Sequence, residues 1–207
     1  TVVLGGGLLV TAFLYWRQVY DSPLQALRYG MFNTISVATT TGYANTDYVQ
    51  WPLFAPMVML VLSTFATSAG STGGGIKMIR AVMLVKQARQ EMVGIVHPHA
   101  VAPVRVSGRI VPPRVLASVL AFMMVYGLSL GLLTALMLLS GLDPVLAFSA
   151  VLASLNNVGP GLGPLGPMGS FASLNEFQTW VCTFAMLIGR LEFFTVLVLF
   201  TPGFWRK

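Results

Sequence analysis

An apolar run from Leu53 to Phe65 ends in Ala66-Thr67-Ser68-Ala69-Gly70-Ser71-Thr72-Gly73-Gly74-Gly75, and that interruption leaves few folds open to the chain. A dozen helical residues at 1.5 Å each reach about 18 Å, part way through a hydrocarbon core of about 30 Å. Gly70, Gly73, Gly74 and Gly75 then crowd together, each costing a helix about 1 kcal/mol relative to alanine. The helix must break there. Broken backbone is tolerated at membrane depth only where protein covers it or where it lines a water-filled path.

Membrane depth is the right frame because the chain is 56% apolar and only 9% charged, where a soluble domain carries about 25% charge. A pI near 9.9 would suit nucleic acid, but the charges are placed otherwise. Lys77, Arg80, Lys86, Arg89, Arg105, Arg109 and Arg114 share one segment with Glu91 as its only acid, and Arg206 and Lys207 close the chain. Asp21, Asp47, Asp143 and Glu176 fall in the opposite loops, near Arg17 and Arg28. This positive-inside pattern predicts a multi-pass protein of the cytoplasmic (inner) membrane, with residues 77–114 and the C-terminus cytoplasmic. The single Cys182 excludes a disulfide framework. Val2 to Trp16 is shorter than the roughly 20 residues of a spanning helix, and with no n-region and cleavage site Thr1 does not begin a signal peptide. The expectation is a fragment lacking its N-terminal part.

Taken in order, residues 1–16 predict the outer part of a spanning helix with Tyr15 and Trp16 as interfacial aromatics. Asp21-Ser22-Pro23 reads as an N-cap and a proline in the first turn. It opens a short re-entrant pore helix over 23–38, whose C-terminal dipole end faces Thr39-Thr40-Thr41-Gly42-Tyr43. Tyr48 and Trp51 read as belt residues before the broken helix 53–93, whose part from Ile76 onward is amphipathic. Gly-Ser-Thr-Gly-Gly-Gly-Ile-Lys lacks the Gly-Lys-Ser/Thr ending of a phosphate loop. Residues 94–113 form a proline-punctuated linker, in which His97 and His99 have no third metal ligand nearby.

The order then repeats. A spanning helix over 114–140 carries Gly127, Ser129 and Gly131 for close packing; a pore helix follows at 144–155, a turn at 156–161, and a spanning helix at 176–201. The predicted fold is thus an all-α polytopic membrane protein with two helix–pore-loop–helix repeats, 1–93 and 114–207. The second helix of the first repeat is broken in mid-membrane at 66–75. Asn157-Val158-Gly159 falls where Thr40-Thr41-Gly42 falls. A cation entering a membrane exchanges its water for oxygen ligands, and potassium filters supply rings of backbone carbonyls. Turning successive carbonyls to one axis takes backbone conformations that glycine visits readily, hence Gly42 and Gly159. Arg190, midway along the last helix, costs about 2.5–3.5 kcal/mol there and needs a polar partner. The free carbonyls of the 66–75 loop suit it better than Glu192.

At these residues the chain resembles the C-terminal half of the TrkH/TrkG-type potassium uptake subunits, in the superfamily that includes the Ktr and HKT transporters. The motifs are Thr40-Thr41-Gly42-Tyr43, Ala69 to Lys77, His97-Pro98 with Pro103-Val104-Arg105, Asn156-Asn157-Val158-Gly159-Pro160-Gly161 and Gly189-Arg190-Leu191-Glu192. The resemblance implies the third and fourth repeats of a four-repeat pore, with potassium held at Thr40, Thr41, Asn157 and Val158 beside the filter glycines. It implies a gate formed by Gly70, Ser71, Thr72, Gly73, Gly74 and Gly75 with Arg190. It also implies a homodimer with a cytosolic nucleotide-binding regulatory subunit of the Trk A type, the remaining repeats of the same pore as partners, and no cofactor, potassium being cargo. Two alternatives stay open: a sodium-permeable member of that superfamily, and a carrier cradling a small anionic solute with broken helices. No base–nucleophile pair supports an enzyme.

Overall fold

The computed structural model describes residues 1–68, 70–71, 73–97, 103–191, 198 and 202–205. Thr72, His99, Glu192 and the predicted continuation of the last helix to 201 lie outside the described residues, Val198 excepted. The chain is mostly helical: α1 (Val2–Trp16), α2 (Pro23–Ala38), α3 (Phe54–Phe65), α4 (Met78–Val96), α5 (Pro113–Leu139), α6 (Pro144–Leu155) and α7 (Glu176–Leu191), with a helical turn at Pro202–Trp205. Among the described residues, α5 is the helix long and apolar enough to cross a membrane by itself.

Proline starts both short helices, because a first-turn residue needs no amide hydrogen and its φ is already helical. Asp143 also caps α6, its carboxylate accepting the amide of Val145 at 3.1 Å. Ser22, at the corresponding place before α2, makes no side-chain cap bond. The last long helix opens with a reciprocal cap: the Gln178 amide donates to Asn175 Oδ1 at 2.8 Å and the Asn175 amide to Gln178 Oε1 at 3.0 Å, the capping-box arrangement. Gln178 Nε2 reaches on to Ser140 Oγ at 2.8 Å and ties this end to that of α5.

Close approach sets the crossings. Gly7 on α1 sits against Met31, and Gly30 on α2 against Thr11, so α1 and α2 meet through small residues. One core joins Val10, Leu14, Val37, Met59 and Leu60 to Leu152 and Val158 from the second half. The other gathers Phe122, Met137, Val151, Leu155, Val181 and Ile188 around Ile76. Each half therefore contributes to the other's core.

Two expectations are corrected and two are refined. Tyr48 and Trp51 are buried rather than facing a lipid boundary, at 2% and 5% exposure; the Trp51 indole donates to the Tyr20 hydroxyl at 3.1 Å. Burial, and then the charge of Asp47, push the Tyr48 phenol above its ordinary range. The linker contains an antiparallel hairpin, Arg105–Val106 with Arg109–Ile110, because Ser107 and Gly108 both take positive φ, 50° and 80°, as a tight hairpin turn requires. Gly127 and Gly131 have nothing within 4 Å of where a Cβ would stand, so among the described residues neither packs closely against another helix. Helix α4 begins at Met78, after Ile76, because Lys77 takes φ 68°.

Candidate functional site

Helices α2 and α6 end alike. The Thr40 amide donates to the Val37 carbonyl at 3.1 Å and the Thr41 amide to Ser36 at 2.9 Å; Asn157 donates to Ser154 at 3.1 Å and Val158 to Ala153 at 3.0 Å. This crossed pair of bonds is the Schellman ending, which requires a left-handed residue. That residue is Thr40 at φ 58° in one turn and Asn157 at φ 54° in the other, followed in each by a glycine, Gly42 at φ 81° and Gly159 at φ 104°. Asparagine enters this region easily, whereas a β-branched threonine there is an outlier that costs about 1–2 kcal/mol.

The two turns touch. A Cβ on Gly42 would run into the Val158 carbonyl oxygen and stand 3.5 Å from Pro160 Cδ. Outside them lies an open depression of about 580 Å³, lined by Gly42, Tyr43, Gly159, Pro160 and Met186 among others. On the other side comes the interrupting loop. It doubles back on α3, the Ile76 amide donating to Thr64 at 2.7 Å and the Met78 amide to Thr67 at 2.8 Å. Thr67 Oγ1 donates to the Gly74 carbonyl at 3.0 Å.

This return carries two glycines against the turns. A Cβ on Gly73 would come within 2.9 Å of Thr40 Oγ1, and one on Gly74 within 2.6 Å of the Asn156 carbonyl carbon. Gly70, at φ 86°, has no atom of the described residues within 4 Å of where a Cβ would stand, and Ser71 Oγ accepts the Gly73 amide at 3.0 Å. Arg190 is exposed in the last turn of α7. Its neighbour Gly189 lies against the Leu155 carbonyl, 3.0 Å from Asn157 Nδ2 at the Cβ position.

The sequence offers the hydroxyls of Thr39 to Thr41 and the amides of Asn156 and Asn157 as braces of the turns; their partners were the least visible. Thr39 Oγ1 donates to Ile35 at 2.7 Å and pairs with Thr41 Oγ1 at 2.9 Å, so the first turn is braced mainly by its own hydroxyls. Asn33, fully buried, donates to Asn45 Oδ1 at 2.7 Å and anchors the chain leaving that turn. Asn157 Nδ2 donates to the Met186 carbonyl at 3.2 Å. Asn156, also fully buried, donates to Ser63 Oγ at 3.0 Å and Thr64 Oγ1 at 3.1 Å and accepts from the Tyr126 hydroxyl at 2.8 Å. An amide within α2, flanked by Met31, Phe32 and Ile35, was the available signal for Asn33; nothing local announces the partners of Asn156.

Known proteins match nearly the whole chain. The family described as TrkH, cation transport protein, matches residues 10–207. The Trk system potassium uptake protein TrkH of Salmonella typhimurium is 41% identical over 200 residues, 97% of this chain and 41% of that protein. Its counterpart from Vibrio parahaemolyticus is 43% identical over 188 residues, 91% and 38% of the two chains. The crystal structure of the potassium transporter TrkH from Vibrio parahaemolyticus superposes with a TM-score of 0.91 at 40% identity, covering 99% of this chain and 43% of that one. The chain thus spans about two fifths of the length of these curated relatives. A match of this extent identifies it: the chain belongs to the TrkH family of cation transport proteins.

Proposed function

We propose that this chain supplies two sides of a potassium-conducting pore of the cytoplasmic membrane, with Thr40 to Gly42 and Asn157 to Gly159 as its ion-facing turns. The observation that carries this reading is the direction of the turn amides. Those of Thr40, Thr41, Asn157 and Val158 all donate back into α2 and α6, while among the described residues no donor reaches the carbonyl oxygens of Thr40, Thr41, Asn157 or Val158. Two helix C-termini, each carrying about half a negative charge, end at the same place. Acceptors without donors favour a cation and disfavour the anionic solute of the carrier alternative. Potassium, rather than sodium, is taken from what the relatives' names say they transport.

On this reading the lipid bilayer surrounds the helices, the basic 77–114 side faces the cytoplasm, and the loop from Gly70 to Gly75 acts with Arg190 as a gate. The remaining repeats of the pore, a second copy of the protein and a regulatory subunit of the Trk A type complete the assembly.

Potassium and sodium uptake by the full-length protein tests both parts. Gly159→Ser, strained by φ 104° though it has room for a side chain, should lower the preference for potassium over sodium by about tenfold, the equivalent of about 1.4 kcal/mol. Unchanged selectivity would remove the filter assignment, and indifference between the two ions from the start would favour the sodium-permeable alternative. Arg190→Ala should raise basal flux; reduced flux at normal abundance would leave Arg190 a structural residue.

A further inference from the structure

Asn156 occupies the place in the second turn that exposed Thr39 occupies in the first, but it is fully buried. The orientation of its amide follows from its neighbours. Ser63 Oγ donates its only hydrogen to the Leu60 carbonyl at 2.6 Å, so toward Asn156 it can only accept, and the group facing it must be Nδ2. That leaves Oδ1 for the Tyr126 hydroxyl, and three of the four side-chain bonds an asparagine can make are formed. Ser63 and Thr64 are the last polar residues of α3 before the interruption. The Thr64 carbonyl is also where the loop reattaches, through the Ile76 amide. The backbone of Asn156 meanwhile lies under Gly74, whose Cβ would stand 3.0 Å from its Cα, and a Cβ on Gly75 would stand 3.2 Å from its Oδ1.

One residue therefore holds the root of the loop with its side chain, supports the loop itself with its backbone, and leads directly into Asn157 and Gly159. We propose that Asn156, fixed by Tyr126, is the positioning residue that couples the interrupting loop to the second ion-facing turn, so that displacement of the loop changes ion preference as well as flux. The coupling rests on the pore reading given above. Phe122 extends it toward the cytoplasmic side: its ring lies 6.4 Å from that of Tyr126, and the Arg80 guanidinium of α4 sits 3.9 Å over it. A helix that leaves the loop thereby touches the same support.

The test uses the full-length protein, reading potassium half-saturation, maximal uptake, and sodium uptake relative to potassium, with abundance measured alongside. Tyr126→Phe deletes one hydroxyl and keeps the packing. It should raise half-saturation and lower the potassium preference by about threefold to tenfold each, the range expected for one lost buried hydrogen bond. Asn156→Asp, which keeps the acceptor for Tyr126 but loses both donors, should do at least as much, and Asn156→Gln should not restore function because its amide is displaced by one methylene. Gly74→Ala should shift the same two quantities, and combining it with Tyr126→Phe should give less than the product of the separate effects. If Tyr126→Phe lowers only maximal uptake, in proportion to abundance, the coupling is overturned and Asn156 is a fold staple. Should Asn156→Asp fail to accumulate, Tyr126→Phe and Gly74→Ala still decide the matter. Failure of the coupling with Gly159→Ser still active on selectivity leaves the pore reading standing; failure of both removes it.

Discussion

Gly42→Ser is expected to abolish selective potassium uptake, a larger loss than that of Gly159→Ser. Both positions need positive φ, which costs a side-chain-bearing residue about 1–2 kcal/mol. Only Gly42 has a second obstacle: its Cβ would overlap the Val158 carbonyl oxygen, and that atom belongs to the other turn. Backbone cannot rotate aside as the end of a flexible side chain can, so the two turns must separate, adding about 1–3 kcal/mol. Because the displaced oxygen is one of the proposed ligands, the damage falls on both turns at once. Uptake of potassium and of sodium by each variant at matched abundance checks this order of effects. A Gly42→Ser protein as selective as Gly159→Ser would mean that the contact between the turns carries no function.

Gly189→Val should be the most destabilising single change along α7. Its Cβ would overlap the Leu155 carbonyl oxygen and lie 2.8 Å from the carbonyl carbon, so α7 must move away from α6. That movement opens the core around Val151, Leu155, Cys182, Ala185 and Ile188, and it pulls Met186 from Asn157, whose bond to it is 3.2 Å. Overpacking of this kind typically costs about 1–3 kcal/mol and occasionally more. The melting temperature of the purified protein in detergent should fall by about 2–12 °C on the scaling for proteins of this size. Leu187→Val, at an exposed position two residues away on another side of the helix, is the control and should change it little.

Which parts were legible in the sequence follows from how far apart the interacting residues stand. Helices α2 and α6 could be read because Pro23 and Asp143-Pro144 open them locally and a glycine follows each end. The break after Phe65 was legible because glycines act through their own backbone. The paired turns emerged from order alone, and the structure adds that their left-handed residues are Thr40 and Asn157, one of them against its intrinsic preference. What was not legible depends on distant partners. Ser63 and Tyr126 are 93 and 30 residues from Asn156, and no local pattern marks a hydroxyl in an apolar helix as theirs. Trp51 looked interfacial because its partner, Tyr20, belongs to another segment 31 residues away. Gly127 and Gly131 looked like packing residues because small size is visible in a sequence and the presence of a neighbour is not.

The cluster around Asn156 also restricts how sequences of this kind can drift. Its polar atoms satisfy one another and the Leu60 carbonyl in a buried place, so replacing a single member strands a buried donor or acceptor at about 1–3 kcal/mol, whereas replacing the set by apolar residues of similar shape need not. Positions 63, 64, 126 and 156 are thus tied together in inheritance: a lineage can keep all four or exchange them jointly, but the intermediate steps are penalised. Thr39, bonded only within its own turn, carries no such obligation. Two turns with the same backbone are therefore expected to age at different rates, the first free to vary its hydroxyls and the second locked to its neighbours.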